Sequence, residues 1–387
     1  MSAGAATRIV IVGGGIAGLG TSVRLVQAGL PVTLLEASEL GRAASTRNQG
    51  WLHSGGFYAL ESIDYARTCY ASLQQTLTFC PDCIEPGIPS MAYLISRPDT
   101  LASSWTKAWS AAGIPHPEIP VERVCADLPG FERSRLQHAY QLPDRAIRVD
   151  VLLTHLAATA QNAGVEIRTN THVKSLDIQN GRIQGVVTSS GESVAAQLVI
   201  LAGGATGFDL SGEFLEQRPG SQSEVELVSL KTHLVALHDE VGRLPFCIVD
   251  ADRFNHIPHP PVSVFGSEHW QRVSTPDDRK EPEAVERICG LIRTFFPDRK
   301  ARPDDLQAWA GTMMQALRAD QVEPGGMLWP AVIDHARHAP RIANLVSVFP
   351  GRATLWSQLA EETRKLVLAK LDVPAVGMAH PPWVSRS

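Results

Sequence analysis

A glycine-rich stretch near the N-terminus constrains the fold of this chain most strongly. Thr7–Val12 is a short run rich in β-branched residues, which predicts one buried parallel strand. Gly13, Gly15 and Gly18 follow it in GxGxxG spacing. In a strand–turn–helix unit the first glycine permits the tight turn, the second lets a pyrophosphate approach and the third lets the helix pack closely on the strand. Because the spacing alone occurs by chance, the prediction rests on its place between a strand and a helix.

The residues that follow the glycines complete a βαβ unit. A helix is predicted over about residues 16–28, and a second strand ends at Glu36. The free N–H groups at the start of such a helix favour bound phosphates. A carboxylate at Glu36 accepts hydrogen bonds from ribose hydroxyls and repels a 2′-phosphate, which disfavours NADP and leaves FAD or NAD. The alternative for Glu36 is a solvated strand end.

Length and composition limit the other possibilities. At 387 residues the chain suggests two domains, at roughly 150 residues per domain. Its 35 Lys+Arg against 40 Asp+Glu give a net charge of −5 with no basic block, so we expect no nucleic-acid partner. The sequence has no apolar run of about 18 residues to span a bilayer, and its N-terminus has no secretion-signal pattern. We therefore expect a soluble, cytoplasmic protein.

Two later stretches help to choose between FAD and NAD. Short alternating strands follow residue 162, with Asn180-Gly181 predicting a type I′ hairpin, and the buried strand Leu198–Ala202 then runs into Gly203-Gly204. Near the C-terminus a strand is followed by a turn at Gly351 and an amphipathic helix. An NAD-binding unit alone gives this last segment no role.

These segments together resemble the FAD-dependent oxidoreductases of the D-amino-acid oxidase superfamily. The resemblance rests on the fingerprint with Glu36, on "TRNQGWLHSGG", on "VILAGG" and on "GRATLWSQLAEET". The His-Ser-Gly-Gly run and the end segment are most similar to the glycerol-3-phosphate dehydrogenase and 2-hydroxyglutarate dehydrogenase branch. The resemblance implies an α/β fold, in which a Rossmann-like FAD-binding domain accompanies a second, β-rich substrate domain of antiparallel sheet plus helices.

The resemblance also gives the polar segment after the second strand a role beneath the cofactor. It implies that Ser45 and Thr46 lie by the pyrophosphate and that residues 49–56 line the isoalloxazine. Trp51 would pack on an apolar surface, and His53 would be the titratable group nearest the reacting carbon. The alternative is a glycine-rich surface loop anchored by a buried tryptophan.

Further matches extend the cofactor site to the rest of the chain. Val173 matches a position whose backbone contacts adenine, and residues 351–355 match the turn at the pyrimidine end of the flavin. A helix N-terminus directed at the flavin C2 carbonyl would stabilise the negative charge that develops there on reduction. The predicted FAD-binding residues are Gly13, Gly15, Ile16, Ala17, Gly18, Glu36, Ala37, Ser38, Arg42, Ser45, Thr46, Gln49, Gly50, Trp51, Leu52, His53, Val173, Ala202, Gly203, Gly204, Gly351, Arg352, Ala353, Thr354 and Leu355.

The remaining chain is expected to form the substrate domain. We predict that residues 1–75, 145–215 and 340–387 form the FAD-binding domain, and that 76–144 and 216–339 form a β-rich domain whose antiparallel sheet covers the flavin. Segments such as "PEIPVERV", "RPDD" and "ADQVEPGGMLWP" are predicted to be turn-rich connectors.

No substrate-anchoring cation stands out in this domain. Many relatives carry an Arg-Pro pair after a "WAG"-like stretch, where this chain has Met313 and Met314, which puts a carboxylate clamp in doubt and suits a larger or less charged substrate. The other possible anchors, each more often a solvated or ion-paired surface group, are Arg318, Arg253, Arg272 and Lys231.

The resemblance implies an enzyme that takes hydride from a C–H bond next to an amine nitrogen or a hydroxyl oxygen of a small molecule. His53 would accept the proton or orient a water that does so. The electron acceptor stays open among oxygen, a quinone and another protein, and the flavin is assumed to be non-covalent. Three alternatives remain: an aromatic monooxygenase, whose usual Gly-Asp-Ala run is here "FPGRATLW"; an NAD-dependent dehydrogenase; and a flavin-binding subunit without catalysis.

Cysteine and histidine pairs are the candidates for a metal or redox site. Cys80 and Cys83 form one "CPDC" without a second CxxC, which favours ordinary reduced thiols. The histidines of "HIPH" and "HARH" lack a carboxylate or cysteine at ligand spacing, so we expect surface histidines and no bound metal.

Overall fold

The computed structural model describes residues 8–98, 100–207, 210, 225–251, 253–318, 327–338 and 340–373. The helices are α1 Ile16–Gln27, α2 Ile63–Phe79, α3 Ala102–Ala112, α4 Val121–Asp127, α5 Val149–Asn162, α6 Pro282–Phe295 and α7 Trp356–Lys370. The first ten strands are β1 Ile9–Val12, β2 Val32–Leu35, β3 Trp51–Leu52, β4 Ala92–Ile95, β5 His138–Gln141, β6 Arg145–Ala146, β7 Glu166–Arg168, β8 Val173–Gln179, β9 Arg182–Thr188 and β10 Ser193–Ala195. The remaining strands are β11 Leu198–Leu201, β12 Val225–Leu237, β13 Phe246–Ile248, β14 Asn255–His259, β15 Val262–Gly266, β16 Gln271–Val273, β17 Gln307–Arg318, β18 Ala331–Asp334 and β19 Leu345–Phe349. None of the helices in these ranges has the length and apolar character needed to cross a membrane.

The N-terminal fingerprint forms the centre of a six-stranded sheet. Its strand order is β18-β19-β11-β1-β2-β7, with parallel pairing except between β18 and β19. Ile9, Val10 and Ile11 are fully buried because both faces of the sheet are covered, as the apolar run predicts. A Cβ on Gly18 would lie 1.9 Å from the carbonyl oxygen of Gly13, so only glycine allows α1 to pack this closely on the turn.

Three helices cover one face of this sheet. Apolar side chains of α1, α5 and α7 form one buried cluster with those of β1, β2 and β11. Trp356 begins α7 and packs against Gly20 of α1, where a Cβ would lie 2.8 Å from its ring. Its indole Nε1 donates to Thr76 Oγ1 of α2 at 3.0 Å. The C-terminal helix is therefore fixed against the N-terminal βαβ unit.

A three-stranded antiparallel sheet covers the other face. Its order is β10-β9-β8, and Val173, Val186 and Val194 pack on strands of the first sheet. Asn180 and Gly181 have φ of 51° and 70°, which confirms the predicted type I′ turn between β8 and β9.

The second large sheet has eight strands and is mainly antiparallel. Its order is β16-β12-β15-β14-β13-β4-β5, and β17 also pairs with β12 along most of its length. Helix α6 packs on this sheet through Val285, Ile288 and Ile292, which belong to the same buried cluster as Phe246 and Phe265. This arrangement confirms the predicted combination of a Rossmann-like domain with a β-rich second part.

Pairing of β18 bears on the predicted domain limits. The sequence-based limits put residues 216–339 in the substrate domain, yet Ala331–Asp334 pairs with β19 in the six-stranded sheet. We therefore propose a division in which the FAD-binding part resumes before residue 331.

The connector "PEIPVERV" also differs from its prediction, because its second half begins the short helix α4. Residues 319–326 of the "ADQVEPGGMLWP" connector lie outside the described residues.

The expectation of surface histidines is wrong for two of the four residues. His256 and His335 are both fully buried, in β14 and just after β18. Burial lowers the pKa of His256 to about 3 and that of His335 to about 4. Strand β14 is buried on both faces, and His335 is buried at the turn after β18. Both histidines have hydrogen-bond partners in the core, the Leu244 carbonyl and the Ser347 hydroxyl.

Lys231 is a further buried polar residue with a structural role. Its side chain is fully buried in β12 and donates to Asp277 at 3.1 Å and Glu281 at 3.0 Å.

Cys80 and Cys83 are buried free thiols at a turn that follows α2. Neither Lys231 nor this cysteine pair lines the cleft described below.

Candidate active site

A deep cleft lies where the two large sheets meet. Its walls come from the N-terminus of α1, the segment 44–53, the strands β12, β14, β15 and β17, and the turn 350–354. The empty volume of the cleft is about 1070 Å³ when space open to solvent is included.

The start of α1 is built to receive a phosphate group. Gly15 is the N-cap residue of α1 and has no side chain to bond the first N–H groups of the helix. The Ile16 N–H donates to Ser45 Oγ at 3.1 Å, which brings the predicted pyrophosphate residue Ser45 to the helix N-terminus. A Cβ on Gly13 would lie 2.5 Å from the Ala202 carbonyl oxygen, so the turn passes directly over the end of β11. Uncapped N–H groups and this close backbone cradle fit a dinucleotide pyrophosphate.

Glu36 lies at the end predicted to bind adenosine. Its Oε2 accepts from Gly14 N at 2.6 Å, and its Oε1 accepts from Ser38 N at 2.9 Å. The Thr171 N–H donates to the Glu36 carbonyl at 2.8 Å, so the start of β8 with Val173 lies beside the end of β2. These contacts bring together Glu36, Ser38 and Val173, as the predicted adenosine site requires.

The segment around Trp51 forms the inner end of the cleft. Trp51–Leu52 pairs with Arg145–Ala146, and the Trp51 indole Nε1 donates to the buried Asp144 carboxylate at 2.9 Å. The imidazole of His53 stacks on Trp51 with 4.0 Å between ring centroids and an angle of 27°. The tryptophan thus covers one face of the histidine ring, and both residues line the cleft.

His53 joins two separate parts of the predicted cofactor site. Its backbone N–H donates to Thr354 Oγ1 at 3.1 Å, which ties the segment before α2 to the turn before α7. Burial, followed by the charge of Arg352, lowers the pKa of His53 well below 6.5. Its Nδ1 is buried and has no hydrogen-bond partner among the described residues. The ring is therefore a neutral imidazole in the wall of the cleft, and its Nδ1 is left unsatisfied by the described residues.

The turn before α7 supplies the opposite wall. Gly351 has φ of 68°, and a Cβ there would lie 2.1 Å from the Leu328 carbonyl oxygen, so glycine is required. Its N–H donates to Gln315 Oε1 of β17 at 3.1 Å, which joins the turn to the second sheet. The next side chain, Arg352, donates to Glu268.

The structure brings many of the predicted residues together but not all. Those that line the cleft are Ile16, Ser45, Gln49, Trp51, His53 and the turn 351–354. The fingerprint glycines lie in the turn after β1 and in the first turn of α1, and Gly50 precedes β3. Residues 36–38 follow β2, Val173 begins β8, and residues 202–204 follow β11. Leu52 and Leu355 are buried in the core. Arg42 pairs with Glu39 at the surface and Thr46 Oγ1 donates to the Gly41 carbonyl, so neither side chain faces the cleft.

Of the four cations considered as possible substrate anchors, Arg253, Arg272 and Lys231 do not line the cleft. Arg253 pairs with Glu61, and Arg272 pairs with Glu226 at the surface. The side chain of Arg318 lies outside the described residues. Met313 does line the cleft, in keeping with an apolar substrate surface.

Sequence reasoning missed several residues of the second sheet and of one of its loops. Thr232 lies in β12, Asn255 in β14, and Glu268 and Trp270 in the loop between β15 and β16, and all four line the cleft. No spacing pattern relates residues on separate strands and loops to one another, so the sequence held no signal for this set.

Comparison with known proteins identifies the family. The model of the family described as FAD dependent oxidoreductase, abbreviated DAO, matches residues 8–346. The chain belongs to this family. This oxidoreductase is 28% identical over 316 residues to glycine oxidase of Pseudomonas aeruginosa, covering 79% of this chain and 82% of that protein. It is 24% identical over 400 residues to anaerobic glycerol-3-phosphate dehydrogenase subunit A1 of Haloferax volcanii, and it spans 95% of its own length but 64% of that relative.

Solved structures give the same fold at lower identity. Glycine oxidase from Bacillus cereus superposes with a TM-score of 0.70 at 18% identity, covering 94% of this chain and 97% of that one. Glycerol-3-phosphate dehydrogenase from Bacillus halodurans, complexed with FAD, superposes with a TM-score of 0.69 at 16% identity, covering 96% and 66%. The family and these folds confirm the predicted superfamily, the oxidoreductase class and FAD as the cofactor, and they remove the NAD-dependent alternative.

We expect the flavin of this oxidoreductase to be released by acid. Cysteine is absent from the described residues that line the cleft, and burial raises the pKa of Cys69 to about 12 and that of Cys289 to about 11, which suppresses the thiolate needed for a covalent link. After acid precipitation the supernatant should show bands near about 370 and 450 nm. Colour that stays in the pellet would contradict this expectation.

Proposed function

We propose that this protein oxidises a small molecule at a C–H bond next to an amine nitrogen or a hydroxyl oxygen. The observation that carries the proposal is the position of His53 at the inner end of the cleft, where its Nδ1 has no partner among the described residues. Bound FAD would supply the redox chemistry, as the acceptor of the hydride. The two named relatives act, by their names, on an amine and on a hydroxyl compound, which supports this pair of donor classes.

The side chains around the cleft would position the substrate and its proton. A neutral His53 accepts a hydrogen bond, and then the proton, from the substrate's amine or hydroxyl group. The stack on Trp51 and the His53 N–H bond to Thr354 hold the imidazole in one orientation, which reduces the entropy lost on reaching the reactive geometry. Strands β12, β15 and β17 would cover the ring and exclude water from the reacting carbon. Met313 would contact an apolar part of the substrate.

Location and electron acceptor belong to the same proposal. A cytoplasmic setting agrees with the described cysteines, which are free thiols, and no nucleic acid is expected as a partner. Oxygen, a quinone or a protein would then take the electrons from reduced flavin. Re-oxidation of the reduced protein by air, by a soluble quinone or by neither separates these acceptors.

Anaerobic mixing with candidate donors tests the proposal. We expect at least one compound from a panel of amines, amino acids, alcohols and hydroxy acids to bleach the flavin band near about 450 nm, at a rate that saturates with donor concentration. Dithionite gives the fully reduced reference spectrum. If dithionite bleaches the flavin but no donor does, and a partner protein then reduces it, the chain is the flavin-binding subunit left open by the sequence.

A further inference from the structure

A buried ion pair lies in the wall of the cleft. Arg352 Nη2 donates to Glu268 Oε1 at 2.5 Å, and both side chains line the cleft. The two side chains are only 10% and 9% exposed. The hydride-transfer roles proposed above use neither group. Because each charge has its partner beside it, this part of the wall carries no net charge.

Aromatic rings hold the pair in place. The guanidinium carbon of Arg352 lies 5.1 Å from the ring centroid of Tyr58 and 5.4 Å from that of Trp270. Burial by itself lowers the pKa of Arg352, but the neighbouring charge of Glu268 outweighs it and raises that pKa overall. Burial raises the pKa of Tyr58 well above 10, so its phenol stays neutral. Glu268 is therefore the group that neutralises the arginine.

Charges elsewhere on the cleft wall do not change this balance. Among the described residues that line the cleft, the remaining charged side chain is Arg47. It pairs with Asp278, and both side chains are about half exposed, at 45% and 54%. A surface pair of this kind is screened by water and salt. Arg352 is thus the buried cation among the described residues of the cleft wall, and it is already paired with the carboxylate of Glu268.

Two hydrogen-bond donors remain open beside the pair. Arg352 Nε and Trp270 Nε1 are both buried, and neither has a hydrogen-bond partner among the described residues. A ligand carboxylate that accepted from Arg352 Nε would bind the same guanidinium as Glu268, and like charges repel strongly in a site shielded from water. An uncharged oxygen, such as the carbonyl of an amide, accepts from that donor without the repulsion.

We propose that Glu268 is a specificity-determining residue, which withholds Arg352 from substrate carboxylates and selects amine or alcohol donors whose second polar group is an uncharged acceptor such as an amide. The inference rests on the proposed function, because it names the substrate class of the same cleft. It also gives a physical reason for the apolar Met313 on the same wall: a substrate without a carboxylate brings less charge into the cleft.

Matched acid and amide pairs test this assignment. The probes are alanine and alaninamide, sarcosine and sarcosinamide, and lactate and lactamide, which differ mainly in the charge of one group. Binding to the flavin-loaded protein is measured by the change in the flavin spectrum, separately from the rate of bleaching. The variants are Glu268→Gln and Glu268→Ala. The matched control is Glu61→Gln, which removes a carboxylate paired with Arg253 away from the cleft wall.

The parent protein and Glu61→Gln should bind the amide of a pair more tightly than the acid. In both Glu268 variants the ratio should shift toward the acid by roughly 10-fold or more, the worth of one good bond to a buried charged donor. An unchanged ratio, or a parent that prefers the acids, overturns the inference. Failure of every probe to bind any of the proteins also overturns it, since a freed buried guanidinium should capture carboxylates. Binding with the expected ratios but without bleaching by any donor would instead contradict the proposed function.

Discussion

Replacing His53 by Asn or Ala should slow flavin reduction by the best donor by a factor of about 10²–10⁴, the usual contribution of a positioned general base. His53 is the titratable side chain at the inner end of the cleft whose ring nitrogen has no partner among the described residues. Stopped-flow bleaching at saturating donor measures the rate directly. Because burial keeps His53 neutral, the deficit should be the same at pH 6.5 and pH 8.

The two substitutions separate proton acceptance from simple positioning. The amide introduced by His53→Asn would keep a hydrogen-bond acceptor but no basic nitrogen, so a base role predicts that this variant is nearly as slow as His53→Ala. A histidine that only orients water predicts that the His53→Asn variant keeps most of the rate. His138→Asn is the control, since His138 is exposed at the start of β5 and pairs with Glu118. Flavin reduction by His53→Ala at the parent rate would contradict any role in proton transfer.

Much of the cofactor side of the molecule could be predicted because its signals are local in sequence. Gly13, Gly18 and Glu36 act within one βαβ unit, and the clashes that a Cβ would make at the two glycines explain the residue type without reference to distant parts of the site. The resemblance also predicts that Ser45, His53 and the turn at Gly351 share one cleft, where the structure also has them.

The substrate side was much less predictable because its residues meet only through tertiary structure. The role proposed for Glu268 depends on its pairing with Arg352. That arginine lies 84 residues later in the chain and follows a strand of the other sheet. The same limitation affected Lys231, which is a possible anchor by sequence and is instead buried against Asp277 and Glu281. Polarity alone does not tell whether a charged residue faces a ligand, another charge or water.

Acidification should destabilise this protein more steeply than its carboxylates alone would. The folded-state pKa values of His256, about 3, and His335, about 4, lie below the ordinary value of 6.5. Well above pH 6.5 neither residue is protonated in the folded or the unfolded state, so neither makes stability depend on pH. As the pH falls below 6.5, these two histidines become protonated in the unfolded chain but stay neutral in the folded protein. The free energy of unfolding should then fall by about 1.4 kcal/mol per pH unit for each histidine.

Urea unfolding of the FAD-saturated protein at pH 7.5, 6.0 and 5.0 measures this slope, with flavin held in excess because ligand binding itself adds stability. His256→Gln should lose about 1.4 kcal/mol per pH unit of the slope between pH 6 and 5, whatever it does to stability at pH 7.5. His138→Gln, at an exposed histidine, is the matched control for the substitution. Asp144 opposes the trend, because burial raises its pKa and makes the folded protein bind a proton more readily. An identical slope in His256→Gln and the parent would mean that His256 gains its proton in the folded state near its ordinary pKa, which requires water to reach β14.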